Sequence, residues 1–138
     1  MARSITAPGT MDSAPRDVEG TVLIIDDDAG MLDLLGTLLE AHGFRVLTAS
    51  SGVRALQVIR ESAPRVVLTD ILMPEQDGIE TIAAIRRAHP NVKIIAMSGG
   101  GWIDKMDLLR YARALGADAT ISKPADIDEL VQMLRSFL

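Results

Sequence analysis

Four apolar runs in this chain each end on a polar residue suited to holding a cation or an anion. Val22-Leu23-Ile24-Ile25 runs into Asp26, Asp27 and Asp28, and Val66-Val67-Leu68 ends at Asp70. Two further runs end at Ser98 and at Lys123. Runs this short and continuously apolar suit strands buried on both faces, which is how parallel strands lie. A parallel sheet brings the carboxyl ends of its strands to one rim, where open α/β sheets bind ligands. Carboxylates gathered there repel by roughly 4 kcal/mol per close pair at an effective dielectric near 20. Such a cluster asks for a cation.

The segments between the runs carry helical spacing. After a strand at 21–26, Met31, Leu34, Leu35, Leu38 and Leu39 mark one face of a helix that stops at His42-Gly43. A strand Arg45–Ala49 precedes a helix of about ten residues around Leu56 and Ile59, closed by Pro64. The strand Val66–Thr69 leads through Met73-Pro74 to a helix opening near Asp77-Gly78, burying Ile79, Ile82 and Ala83, with Ile85 or the Arg86 stem, and ending by His89-Pro90. The strand Val92–Met97 runs into Ser98-Gly99-Gly100-Gly101, and a helix from about Ile103 to Leu115 is capped by Gly116. The strand Ala119–Ser122 meets Lys123-Pro124, and a last helix covers Ile127, Leu130, Val131 and Leu134. Five βα units in a row with no hairpin signal predict a three-layer, doubly wound (βα)5 fold around a five-stranded parallel sheet. Residues 1–19, with Pro8, Gly9, Pro15 and mixed charge, read as a flexible arm, and 20–138 as one domain with no second domain after it.

Composition removes several classes of function. A net charge of −5 argues against a phosphate-backbone binder, so no nucleic acid is expected as partner. The absence of cysteine excludes disulfides, thiolate zinc sites and a thiol nucleophile. No apolar stretch nears the roughly 20 residues of a membrane span, and the first 20 residues lack the apolar core of a signal peptide. The default location is cytoplasmic, with no membrane partner. Hydrophobic residues are 48% and aromatics 3%, which gives an aliphatic core.

Taken singly, these polar residues have ordinary explanations. Asp28 and Asp77 read as helix caps, Ser98 as a turn residue, and Lys123 as a surface charge. His42 and His89 sit at helix ends with no metal spacing, and Arg86-Arg87 reads as a solvated helix end. Their order is harder to explain away. "LIIDDD", "VVLTDILMPEQDG", "IIAMSGG" and "ISKP" together resemble the receiver domain of two-component response regulators over about residues 21–138. That family has a flavodoxin-like (βα)5 fold, in agreement with the periodicity.

The resemblance implies roles position by position. Asp70 would be the phosphoacceptor, attacking the phosphohistidine of a sensor histidine kinase or a histidine phosphotransfer protein. Asp27 would ligate Mg²⁺, or Mn²⁺ in its place, directly, and Asp26 largely through water. Leu72 would add its backbone carbonyl. Ser98 and Lys123 would contact phosphoryl oxygens, and Gly99 would leave its N–H open to the incoming group. Signalling would pass by protein contact through the fourth helix, last strand and fifth helix to an unknown target, from a monomer or weak dimer. The domain would assist its own phosphorylation and hydrolysis without being a turnover enzyme.

Three positions depart from the family pattern. Thr120 stands where an aromatic switch residue is usual, and Ala125 where an aromatic often follows Lys-Pro. Trp102, the only Trp, follows three glycines and is expected either to pack or to move on phosphorylation. Two other functions fit parts of the chain. Asp26-x-Asp28 resembles the nucleophile motif of haloacid-dehalogenase-type phosphatases, with Asp26 as nucleophile and Asp28 as acid/base. A pseudo-receiver would bind partners without phosphorylation.

Overall fold

The computed structural model describes residues 20–71, 78–98, 105–123 and 126–138, with side chains in the fourth helix from Arg110 onward. Its elements alternate strictly. They are β1 (Thr21–Ile25), α1 (Ala29–Ala41), β2 (Arg45–Ala49), α2 (Gly52–Ser62), β3 (Val66–Asp70), α3 (Gly78–Ala88), β4 (Lys93–Ser98), α4 (Lys105–Ala114), β5 (Ala119–Ser122) and α5 (Ile127–Ser136). The strands form one parallel sheet in the order β2-β1-β3-β4-β5.

Strand alternation divides the core in two. Leu23, Ile25, Val67, Ile94 and Ala96 face one way and pack with Ala55, Val58, Ile59, Ile79, Ile82, Ile85 and Ala112 of α2, α3 and α4. Val22, Ile24, Val66, Leu68, Ile95, Met97 and Ile121 face the other way, against Leu35 and Leu39 of α1 and Leu130, Val131 and Leu134 of α5. The central strands are therefore apolar on both faces, as the continuous Val/Leu/Ile runs require. Edge strand β2 instead exposes Arg45 and Thr48.

Aspartate caps start two of the helices, and the one at Asp28 is where the sequence placed it. Asp28 caps α1, accepting hydrogen bonds from the backbone N–H of Gly30 at 2.9 Å and Met31 at 3.3 Å. Asp126 does the same for α5, accepting from Asp128 and Glu129. Strand ends shift by a residue from the sequence expectation. β1 stops at Ile25, although Asp26 still donates its N–H to the Ala49 carbonyl at 3.1 Å. β3 extends to Asp70, and β4 spans Lys93–Ser98 rather than Val92–Met97.

Two side chains differ from expectation for identifiable reasons. Leu34 is exposed, because α1 presses Gly36 toward Val46 of β2 and so presents Leu32, Leu35 and Leu39 to the sheet. Arg86 is not a solvated helix end. Its Nε and Nη2 donate to the Gly116 carbonyl at 3.1 and 2.8 Å, and its Nη1 to the Pro90 and Val92 carbonyls, each at 2.7 Å. Its Nη2 also reaches Asp118 Oδ2 at 2.7 Å, and that oxygen accepts the Ile94 N–H at 2.8 Å. This one guanidinium ties the end of α3 to the α4–β5 turn and the start of β4. Gly116, at φ +127°, leaves the room it needs, since a Cβ there would run into the Arg86 stem.

Arg86→Ala should therefore cost about 2–3 kcal/mol of unfolding free energy, because it strands several carbonyls and a carboxylate. Exposed Arg87→Ala should stay within about 0.5 kcal/mol. Urea midpoints of the two variants check this, and equal shifts would show that the Arg86 network carries no weight.

Candidate functional site

The rim at the carboxyl ends of the strands is built by four neighbours. β1 delivers Asp26 and Asp27, β3 ends in Asp70, β4 ends in Ser98, and Lys123 follows β5. Asp26, Asp70 and Ser98 are buried, at 1%, 7% and 1% exposure, whereas Asp27 is exposed. One carboxylate oxygen from each of Asp26, Asp27 and Asp70 can be chosen so that all lie within 4.8 Å of one another. The Lys123 Nζ sits 3.2 Å from Asp26 Oδ2 and 3.1 Å from Asp70 Oδ2. The other Asp26 oxygen accepts the Asp28 N–H at 3.0 Å, which fixes the carboxylate in place.

Backbone pairing sets these positions. Ile71 donates its N–H to the Met97 carbonyl at 2.9 Å, and Lys123 donates to the Ser98 carbonyl at 2.8 Å. Asp70 is in register with Met97, and Ser98 with Ser122. The lysine thus starts its reach from the strand next to Ser98, across the rim from Asp26.

The electrostatics follow from burial. Desolvation, the largest single influence on the Lys123 ammonium, lowers its pKa. The hydrogen bond and charge of Asp70 and the charge and hydrogen bond of Asp26 outweigh it, and the net shift is upward from the ordinary 10.5. One ammonium nevertheless stands against three carboxylates, two of them buried. A hard oxygen cluster with surplus negative charge matches a small divalent cation such as Mg²⁺, which takes a few carboxylates and keeps several waters.

The sequence missed one contributor. Spacing marks Gly78 only as the start of a helix, yet a Cβ there would collide with the carbonyl oxygens of Asp70 and Ile71. Its N–H also donates to the Ile71 carbonyl at 2.8 Å. The glycine after Asp77 carried that signal, because it stands inside the first turn rather than at the cap. Of the other expected positions, Thr120 is half-buried beside Ala96. It lies opposite in direction to Ala119 and Ile121, and so toward the α4 side. Leu72, Asp77, Gly99, Trp102 and Ala125 lie outside the described residues. Asp28 is engaged through Oδ1 as the α1 cap, which accounts for this acid without a haloacid-dehalogenase role. No helix among the described residues is long and apolar enough to cross a membrane.

Two measurements test this geometry. Gly78→Ala should destabilise by about 1–3 kcal/mol through overpacking and displace the Asp70 carbonyl; an unchanged melting curve would contradict the contact. The raised Lys123 pKa gives a contribution to stability fully present below about pH 10.5 and lost as pH rises through the folded-state value. The stability difference between wild type and Lys123→Met should therefore be flat through neutral pH and shrink above that point; a difference that grows there has the wrong sign.

Comparison with known proteins agrees with this arrangement. The family model for the response regulator receiver domain matches residues 22–135. Sporulation initiation phosphotransferase F of Bacillus subtilis is 31% identical over 117 residues, covering 85% of this chain and 92% of that protein. The CpxR homolog of Haemophilus influenzae, a transcriptional regulatory protein, is 40% identical over 118 residues; the match covers 85% of this chain and 49% of that protein. The chain thus spans about half the length of that relative. Among solved structures, the receiver domain of NtrX from Brucella abortus superposes with a TM-score of 0.78 at 28% identity, over 85% of this chain and 97% of that one. A CheY-like receiver domain protein from Methanospirillum hungatei gives 0.76 at 27% identity, over 85% and 91%. With the acidic rim, the lysine bridge and the parallel sheet in the order β2-β1-β3-β4-β5, this chain belongs to the response regulator receiver domain family.

Proposed function

We propose that this chain acts as a response regulator receiver that accepts a phosphoryl group on Asp70 from a histidine kinase or a histidine phosphotransfer protein. The observation that carries the reading is the convergence of Asp26, Asp27 and Asp70 to within 4.8 Å, with Lys123 bridging two of them. An Asp70 oxygen attacks the phosphorus of the donor phosphohistidine. The P–N bond breaks and its electron pair returns to the imidazole, which is protonated at its other nitrogen and leaves neutral. The product is an acyl phosphate on Asp70.

Phosphoryl transfer asks little of the protein beyond positioning and charge neutralisation. Asp26, Asp27, Asp70 and the Leu72 carbonyl would hold Mg²⁺, or Mn²⁺, which when bound neutralises charge on the phosphoryl oxygens. Lys123 exchanges its Asp70 contact for a phosphoryl oxygen, and the Ser98 hydroxyl donates to another. The domain is consumed by this step rather than turning over. The added charge, most of two units, is read by a partner protein at the α4–β5–α5 face, where Tyr111 is exposed at 57%. Thr120 replaces the family's aromatic there, so the readout runs through the Ser98 loop rather than through a ring that changes sides. The acting form is a cytoplasmic monomer or weak dimer that does not bind nucleic acid.

In Mg²⁺ with a phosphorylated kinase or a small acyl-phosphate donor, wild type should gain the mass of one phosphoryl group at Asp70, and Asp70→Asn none. Asp27→Ala should weaken Mg²⁺ binding about tenfold or more, a loss of about 1.4 kcal/mol or more. Lys123→Met should bind Mg²⁺ more tightly, having lost the internal counter-ion, yet accept phosphoryl groups poorly. Phosphorylation of Asp70→Asn at the wild-type rate would overturn the assignment, and so would wild type that takes up no metal.

A further inference from the structure

A buried hydroxyl stands beside the rim without being one of its ligands. Thr69, next to Asp70 on β3, is wholly buried. By strand alternation it shares the face of Val67. Its register partners are Ile25 of β1 and Ala96 of β4, both in the same apolar cluster as Val67. Valine has the same branched outline and the same preference for strands, and it would bury no hydroxyl. Packing therefore does not call for threonine here. What the threonine adds is a hydrogen bond, from its Oγ1 to the Asp70 carbonyl at 3.1 Å.

That carbonyl belongs to the peptide joining Asp70 to Ile71, and the same peptide is held at its other end. The Ile71 N–H donates to the Met97 carbonyl at 2.9 Å. Gly78 closes a third side, since a Cβ there would strike the Asp70 carbonyl oxygen. The peptide is planar, so holding both its N–H and its C=O leaves little freedom in the Asp70 ψ. The Asp70 Cα is one bond from that plane, and its side chain leaves in a set direction. Along that direction Oδ2 meets the Lys123 Nζ at 3.1 Å, and the carboxylate joins those of Asp26 and Asp27.

We propose that Thr69 is a positioning residue for phosphoryl transfer. Its hydroxyl fixes the Asp70–Ile71 peptide and, through it, the line along which the Asp70 carboxylate attacks. The inference rests on Asp70 being the phosphoacceptor. Thr69 acts through the main chain of its neighbour rather than by contact with the phosphoryl group. In-line attack is sensitive to such aim, since a displacement of about 1 Å can cost a factor of about 100 in rate.

Thr69→Val and Thr69→Ser in the full chain separate the hydroxyl from the packing. Phosphorylation at Asp70 is followed by mass spectrometry with acetyl phosphate in saturating Mg²⁺, at a temperature where melting curves show every form folded. Thr69→Val, which keeps the shape and loses the hydroxyl, should be slower by about tenfold. Thr69→Ser, which loses a methyl group and keeps the hydroxyl, should run near the wild-type rate. A role in packing alone gives the reverse order, because the serine opens a void. Should Thr69→Val not fold, Thr69→Ala takes its place and should be slower than Thr69→Ser, from which it differs only by the hydroxyl. Uptake at Asp70 with no loss in Thr69→Val, or a Thr69→Ser as slow as the variants without a hydroxyl, would overturn the role of Thr69 alone. No uptake by wild type would overturn the Asp70 assignment and this proposal together.

Discussion

Two carboxylates buried at one sheet edge share a single ammonium, and the rest of the site is arranged around that imbalance. Asp26 and Asp70 are 1% and 7% exposed, and Lys123 lies 3.2 and 3.1 Å from them. A buried ion without a partner costs several kcal/mol, and the lysine offsets part of that cost for both acids. The lysine cannot neutralise both, and the exposed Asp27 adds to the surplus. A parallel sheet resolves the geometry by bringing β1, β3 and the end of β5 to one rim, while the Asp28 N–H pins the second Asp26 oxygen. The result is a cluster of carboxylates short of positive charge.

Much of this was legible in the sequence, because the features involved are local. Val22–Ile25 and Val66–Leu68 have no polar face, and a short run with no polar face in a chain of alternating elements has little choice but a central parallel strand. Asp28 reads as a cap because capping is a contact across two or three residues. The order of Asp26, Asp70, Ser98 and Lys123 at successive strand ends gave the rim its membership, since each strand end is a local event even though the assembly is not.

What stayed hidden depends on distance in the chain. Arg86 meets Gly116 and Asp118 across some thirty residues, |i−j| of 30 and 32, and nothing in "AIRRAHP" says which arginine turns inward. Gly78 matters because the backbone of Asp70 and Ile71 passes above it, a closeness created only by the folded chain. Leu34 belongs to the helical stripe by spacing, yet Gly36 lets α1 settle toward β2 and rolls Leu34 out. Thr120 shows the same limit for signalling. Its place opposite Ile121 and beside Ala96 puts a small polar group on the α4 side, where an aromatic ring would have to choose between positions.

The central claim is that Asp26 and Asp70, bridged by Lys123, form with Asp27 a site for one divalent ion. Carbon-13 spectra of the aspartate carboxyl groups, recorded through a Mg²⁺ titration at neutral pH, test it most directly. The account predicts that the Asp26, Asp27 and Asp70 carboxyl signals move together, saturating at one equivalent of metal, while the Asp126 signal stays put. Carboxyl signals at Asp26 or Asp70 that ignore the metal would contradict it.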